Sequence, residues 1–315
     1  MQGVQDALCA GMNMDGRISN WKQVAGIRRY TVTEGREKGL DILDCDTGKI
    51  RFLLNVNKAC DVMQLYHKGQ NMSFLSKNAF MQRELPFLNR FEGGMLYTCG
   101  LDSIGGRDGY ELHGSLHTTP AEIVRATCDE NEIFVEALIR DTALFGKNLV
   151  LRRCIRAEIG GESLMLTDTL HNESFREEEY CLLYHINVGY PMLDAGARLD
   201  ADVRECHART EWSAQNADAI YEMTLPVPNQ EEMCYFLRLG EPAVSLVNDT
   251  IQKKFTVSYS KDTLPYFVEW KSMTSGDYAL GLEPSTTELD DRFTYRTLKP
   301  DQSVAFSVNI TVNDQ

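Results

Sequence analysis

The chain has 315 residues, of which 43% are hydrophobic and 25% are charged, and its formal net charge is −14. These fractions are typical of a globular protein and exclude a disordered or fibrous chain. The negative charge and the absence of any basic run argue against a nucleic-acid partner, because neutralising phosphates requires clustered Lys and Arg.

The N-terminus and the cysteines indicate the compartment. The first twenty residues lack a basic start followed by an apolar core, and no apolar run approaches the length that crosses a bilayer, so we predict neither a secretory signal nor a membrane partner. The nine cysteines are scattered and contain no C-x-x-C pair. This pattern favours reduced thiols over disulfides or a zinc site, and we expect a cytosolic protein.

In chain order, the predicted elements are short apolar or alternating segments separated by Gly, Asn and Asp, which is typical of antiparallel strands joined by hairpins. The strand segments are residues 50–56, 133–139, 149–159, 163–170, 181–189, 242–248, 253–260 and 303–312. Helices are predicted only at 5–12 and 211–223. The sequence therefore predicts an all-β protein, a large antiparallel β-sandwich forming a single domain over 1–315, with 1–20 as a candidate peripheral segment.

The segment YHINVGYP, residues 184–191, has two different faces if it is a strand. With a period of two, Tyr184, Ile186 and Val188 share an apolar face, while His185 and Asn187 lie on the other face together with a glycine. The polar face either meets solvent or faces a ligand, and the periodicity leaves both interpretations open.

Three further regions carry candidate chemical groups. His113 is followed directly by a glycine, so backbone or ligand can approach the imidazole closely. Glu283 ends an apolar strand just before a proline, where desolvation can raise the pKa of the carboxyl and so suit it to act as a general base. Trp270 on the preceding strand either stacks on a sugar ring or is a core residue. Arg90, near paired glycines, is either a donor to hydroxyl or carboxylate oxygens or the partner of an acid such as Glu92.

Four motifs in order, FLNRFEGGMLYTCGLDSIGG, ELHG, TDTLHNESFREEEYCLLYHINVGYP and VEWKSMTSGDYALGLEPST, resemble the aldose 1-epimerase (galactose mutarotase) superfamily. More closely, they resemble its uncharacterised bacterial branch, the DUF4432 family. The resemblance runs from about Asp61 to the C-terminus and implies the antiparallel supersandwich fold. It agrees with the fold that the strand pattern predicts.

The resemblance also implies residue roles. His185 matches the general acid of mutarotases and Glu283 the general base, so that ring opening and reclosure of a sugar hemiacetal would interconvert its anomers without a metal or organic cofactor. His113 matches a sugar-binding histidine and Arg90 a sugar-binding arginine. We add Asn187 and Trp270 as candidate substrate-binding residues.

The sequence departs from the mutarotase pattern in two places. Ile186 and Val188 stand around Asn187 where the pattern has aromatic residues, and Ser115 follows the HG pair where this branch carries an arginine. We expect these changes to reshape the sugar pocket.

The leading prediction is a mutarotase or related epimerase that acts on a free sugar or sugar acid. One alternative is a sugar-binding protein of the same fold that has lost turnover. The other is a metal-assisted sugar isomerase or lyase, in which His113, His185 and Glu283 hold an ion. Oligomeric state is not predicted.

Overall fold

The computed structural model describes residues 16–83, 85–289 and 293–315. A first antiparallel sheet has five strands in chain order. They are β1 (Gly26–Thr31), β2 (Asp41–Asp46), β3 (Ile50–Asn55), β4 (Asp61–His67) and β5 (Gln70–Asn71). The helix predicted at 5–12 lies outside the described residues.

The second sheet contains the other thirteen strands, and every pairing between them is antiparallel. They are β6 (Leu96–Leu101), β7 (Ala121–Cys128), β8 (Glu132–Thr142), β9 (Asn148–Glu158), β10 (Ser163–Asn172), β11 (Glu178–Val188), β12 (Arg198–Ala208), β13 (Met233–Asn248), β14 (Lys253–Tyr259), β15 (Tyr266–Thr274), β16 (Asp277–Ser285), β17 (Arg296–Leu298) and β18 (Ser303–Asp314). Their order is β17-β11-β16-β15-β13-β14-β18-β10-β9-β8-β7, with β12 paired to β13 and β6 to β11.

Helices are few and short among the described residues. They are α1 (Phe87–Arg90), α2 (Glu211–Gln215) and three 3₁₀ turns at Trp21–Gln23, Leu116–Thr118 and Ala217–Ile220. Helix α2 and the turn after it fall in the predicted helical segment 211–223, and the break between them coincides with Asn216. None of the described helices has the length and apolar character needed to cross a membrane.

The core lies between the two sheets. One continuous apolar cluster joins strands of the first sheet, through residues such as Phe52 and Leu65, to strands of the second, through residues such as Leu151 and Leu166. Each of these side chains is inward-facing on an alternating strand, as the pleat requires. The predicted all-β antiparallel sandwich is confirmed.

A network of buried charged side chains crosses this core. The guanidinium of Arg153 on β9 donates to Asp168 on β10 at 3.0 and 2.7 Å and to Asp61 on β4. The ring of His117 bonds Asp61 at 2.6 Å through Nδ1 and Glu92 at 2.9 Å through Nε2. We call these five residues the core charge network.

The partners in the core charge network control its pKa values. Burial alone raises the pKa of the Asp61 carboxyl, but the charges of Arg153 and His117 outweigh burial and the net pKa is lowered. Glu92 behaves in the same way, with His117 as its main partner. Burial lowers the pKa of Arg153, and Asp168 and Asp61 raise it well above its ordinary value. These shifts favour the charged forms of Asp61, Glu92 and Arg153.

Candidate active site

Strand β11 carries the YHINVGYP segment, and both of its faces are buried. Tyr184, Ile186 and Val188 point into the core between the sheets. His185 on the opposite face is 5% exposed and Asn187 is fully buried, so the interpretation in which this face meets solvent is wrong. β16, β17 and β6 pair with the edges of β11, and the rings of Phe91, His113 and Trp270 lie 5.4–5.7 Å from the His185 ring and cover this face.

The pairing of β11 with β16 brings His185 and Glu283 together. Leu183 lies opposite Ser285 and Ile186 opposite Leu282, and this register sets His185 opposite Glu283. Nε2 of His185 is 3.3 Å from Oε1 of Glu283, and Glu283 is 1% exposed. Among the described residues, Nδ1 of His185 and Oε1 of Glu283 have no hydrogen-bond partner. Buried polar atoms without partners are rare in proteins and are expected where a ligand completes the site.

Gly281 makes room for the Glu283 carboxyl. The two residues lie on the same face of β16, two positions apart, and a Cβ added at Gly281 would overlap Oε1 of Glu283. Gly281 lies opposite Trp270 on β15, whose ring is 5.4 Å from the His185 ring. Nε1 of Trp270 donates to Oε2 of Glu232 at 2.8 Å, which fixes the indole in place.

Burial drives the acid and the base of this pair toward their neutral forms. Desolvation raises the pKa of Glu283 well above 4.5, with Glu232 adding to the rise and Arg209 opposing it. Desolvation lowers the pKa of His185 well below 6.5, the charge of His113 adds to this, and a contact with Asn187 opposes it. Both shifts favour a neutral carboxyl beside a neutral imidazole, an arrangement with one proton to exchange between the two groups, which suits acid–base chemistry.

His113 lies beside this pair on the loop that follows β6. Its ring is 5.6 Å from the His185 ring and 4.7 Å from that of Phe87. Nδ1 of His113 is 2.8 Å from the carbonyl oxygen of Ile104, and a carbonyl only accepts, so Nδ1 carries the proton and Nε2 of the neutral ring is an acceptor. Desolvation lowers the pKa of His113 to about 4.

Gly114 explains the HG motif. Its φ is +76°, a left-handed conformation, and a Cβ at this position would overlap the carbonyl oxygens of Gly100 and Ser103. Because no other residue fits there, the glycine determines the path of the loop that carries His113.

These side chains share one cavity of about 630 Å³, within the range of small-molecule sites. The cavity walls are aromatic and apolar, from Phe74, Phe87, Phe91, Leu112, Val268 and Trp270. The polar groups are His113, His185 and Glu283, together with Lys77, Arg209, Gln230, Glu232 and Asp277. An aromatic wall with a few polar groups is the arrangement that binds the apolar face and the hydroxyls of a sugar.

Two predicted substrate-binding residues do not line this cavity. Nδ2 of Asn187 donates to the backbone oxygens of Gly94 and His185, at 3.0 and 3.1 Å, so the amide braces the backbone of the catalytic strand. Arg90 is 4% exposed, lies 3.3 Å from Oε1 of Glu111, and lines a separate cleft of about 470 Å³ on the other side of α1.

The departures from the mutarotase pattern also lie outside the cavity. Ile186 and Val188 pack in the core between the sheets, and Ser115 lines the separate cleft and donates to Asp102 at 3.1 Å. They do not line the pocket that we expected them to reshape. Arg209 lines the cavity just beyond β12 and is not among the residues predicted from the sequence. Its local signal is its place in HARTEW, between a strand and the Thr210 cap of α2.

The metal-assisted alternative needs a cluster of ligands. Within residues 16–83, 85–289 and 293–315, no three His, Cys, Asp or Glu side chains are grouped so that they could hold a metal ion. The eight cysteines of this part of the chain are free thiols. Cys234 alone among them lines the cavity, and burial raises the pKa of its thiol.

Comparison with known proteins identifies relatives of the chain. A family model described as "Domain of unknown function (DUF4432)" matches residues 37–312. No curated protein matches the sequence.

Solved structures share the fold at low sequence identity. A protein from Klebsiella pneumoniae, described as a candidate aldose 1-epimerase, is 20% identical with a TM-score of 0.80, covering 91% of this chain and 83% of its own. A galactose mutarotase-like protein from Clostridium acetobutylicum is 13% identical with a TM-score of 0.69, covering 93% and 100%. A candidate mutarotase from Salmonella typhimurium is 12% identical with a TM-score of 0.68, covering 95% and 96%.

Proposed function

This chain belongs to the DUF4432 family, and from the geometry of its cavity we propose that it is a sugar mutarotase or closely related epimerase, which interconverts anomers by acid–base ring opening. The observation that carries the proposal is the pair formed by His185 and Glu283, with Nε2 and Oε1 3.3 Å apart in an aromatic cavity. The predicted cytosolic location and single domain stay predictions.

In the proposed reaction the pair works with its one proton on His185. Glu283 takes the proton of the anomeric hydroxyl while His185 gives its proton to the ring oxygen, and the C1–O5 bond breaks to leave an open-chain aldehyde. Rotation about the C1–C2 bond and reclosure with reversed roles gives the other anomer. Burial favours the proton on Glu283 in the resting pair, and the proton passes to His185 when the bound substrate tightens the 3.3 Å contact between Oε1 and Nε2.

The neighbouring side chains bind the sugar in this proposal. Nε2 of His113 accepts a hydrogen bond from a hydroxyl, because Nδ1 is committed to the Ile104 carbonyl. The Trp270 ring, fixed by Glu232, packs against an apolar face of the sugar. Arg90 and Asn187 have no direct role, since neither lines the cavity.

The test is His185→Asn and Glu283→Gln, assayed by saturation-transfer NMR of anomer exchange on a panel of aldoses and uronates. Each variant should lose roughly 10²–10⁴-fold in rate, which is the usual contribution of a positioned acid or base. The matched controls are His207→Asn and Glu205→Gln, whose side chains are exposed on β12. They should keep the wild-type rate.

Two results would contradict the proposal. One is that the wild-type protein accelerates exchange of no sugar in the panel; if it still binds sugars, the non-catalytic alternative holds instead. The other is that the two cavity variants exchange anomers as fast as the wild type.

A further inference from the structure

Arg209 lies at the end of a row of residues that crosses the floor of the cavity. Gly281 on β16 lies opposite Trp270 on β15, and Trp270 lies opposite Cys234 on β13. The backbone N–H of Arg209 donates to the carbonyl oxygen of Cys234 at 2.9 Å, which adds Arg209 to the row. The Glu283 carboxyl leans over Gly281, at the opposite end.

The row separates the catalytic pair from Arg209 by a distance that suits a sugar. Three interstrand spacings of about 4.8 Å put the backbone of Arg209 about 14 Å from that of Gly281. The arginine side chain and one sugar ring together fill this length. With its anomeric carbon at Glu283, a hexopyranose extends along the row, and its exocyclic C6 group, which projects from C5 beyond the ring, is the part that can carry an oxyanion to the guanidinium.

Arg209 is the cation of the cavity that forms no ion pair among the described residues. Lys77, the other cation, pairs with Asp277 at 2.7 Å. Oε2 of Glu232 accepts from the Trp270 indole. Across the described parts of the chain no carboxylate forms an ion pair with Arg209, and its side chain is exposed to the cavity.

We propose that the substrate is a sugar with a terminal oxyanion, a carboxylate or a phosphate, which Arg209 binds while the anomeric end lies at His185 and Glu283. A guanidinium binds either group through two parallel hydrogen bonds, and its planar fork makes this contact directional. This inference rests on the proposed function, because it takes the position of the anomeric carbon from it.

The burial of Glu283 supports an anionic ligand. Burial raises the pKa of this carboxyl and so favours its neutral form, which does not repel an anion in the same cavity. Lys77 is paired with Asp277 and Oε2 of Glu232 accepts from the Trp270 indole, so Arg209 is the group at this end of the cavity that can bind an oxyanion.

The experiment compares kcat/KM for glucuronate and for glucose 6-phosphate with kcat/KM for glucose, in the wild type and in Arg209→Met. The galactose series is measured in the same way. We expect the wild type to favour one of the anionic sugars at least tenfold over its neutral parent, and Arg209→Met to reduce that ratio at least tenfold. Arg204→Met is the matched control, because Arg204 lies on the same part of the chain, pairs with Asp202 at 2.7 Å and does not line the cavity. It should keep the wild-type ratio.

Binding of the same sugars, measured by saturation-transfer difference NMR, separates this inference from the proposed function. Binding of an anionic sugar that is lost in Arg209→Met, with no anomer exchange, would overturn the proposed function and with it the position of the anomeric end, but would support the contact between Arg209 and the oxyanion. Exchange that depends on His185 and Glu283 but shows no preference for anionic sugars, or an unchanged ratio in Arg209→Met, would overturn the inference alone. Failure of every anionic sugar to bind overturns it as well.

Discussion

The core charge network and the pair formed by His185 and Glu283 are both buried, but their charges are affected by burial in opposite ways. In the network, Arg153 bonds Asp61 and Asp168, and these contacts favour the charged forms of Asp61 and Arg153. In the cavity, His185 and Glu283 each have a buried polar atom with no partner, and desolvation drives both groups toward neutrality. Paired buried charges stabilise a structure, whereas buried titratable groups without partners are poised to exchange protons.

Removal of a charge from the network should give the largest effect on stability. Arg153→Met leaves Asp61 and Asp168 buried without their cation, and we expect a loss of about 3–5 kcal/mol in the free energy of unfolding, measured by urea denaturation. The control is Arg152→Met, the next residue on β9, whose exposed side chain pairs with Glu136 at the surface. It should cost less than about 1 kcal/mol.

Urea denaturation of Glu283→Gln tests the same contrast between the two regions, because this substitution removes an ionisable group that has no cationic partner. We expect its free energy of unfolding to match or exceed that of the wild type at neutral pH. A loss in Glu283→Gln as large as that in Arg153→Met would contradict the distinction between the two regions.

A smaller effect is expected from a substitution that moves the Glu283 carboxyl away from His185 without removing either side chain. The methyl group of Gly281→Ala would occupy the space of the Glu283 carboxyl and push it away from His185. A displacement of about 1 Å can cost about 10²-fold in rate, so we expect kcat for anomer exchange to fall by about that factor. Gly26→Ala is the control, since a Cβ there meets only Lys22 at an ordinary distance of 3.5 Å. Equal rates for the two variants would show that the space at Gly281 does not position Glu283.

The smallest effect is the pH dependence of stability, for which the two regions have opposite signs. The raised pKa of Glu283 means that the folded state binds this proton more tightly, so its contribution to stability is present below the ordinary pKa of 4.5 and is lost as the pH rises through the folded pKa. The lowered pKa of Asp61 acts in the other direction: its contribution is present above the ordinary value of 3.8 and is lost as the pH falls.

The difference in free energy of unfolding between the wild type and Glu283→Gln isolates the first contribution. As the pH rises above 4.5, the free energy of unfolding of the wild type should fall relative to that of Glu283→Gln by at most about 1.4 kcal/mol per pH unit. Glu269, whose pKa desolvation raises to about 8, has the same sign but is present in both proteins and cancels. With Glu205→Gln in place of Glu283→Gln, the difference should stay flat; a flat difference for both would contradict the raised pKa.

Much of the fold and part of the site could be predicted from the sequence. Alternation along β11 separated the face of Ile186 from that of His185, and the end of an apolar strand marked Glu283. The sequence did not decide whether Asn187 and Arg90 reach the ligand, since a strand position shows which face a side chain takes but not what packs on that face. Asn187 turns out to brace the backbone beside Gly94, and Arg90 lies behind α1.

The sequence by itself determined the strands, their two faces and the antiparallel class, because these depend on a period of two and on turn residues that act locally. Only the tertiary structure decided the row that runs from Glu283 across Trp270 to Arg209. Its members come from strands far apart in the chain, and the pairing of β12 with β13 and of β15 with β16 brings them to one cavity. Burial of that cavity, rather than any local pattern, then sets the pKa values that make His185 and Glu283 a candidate catalytic pair.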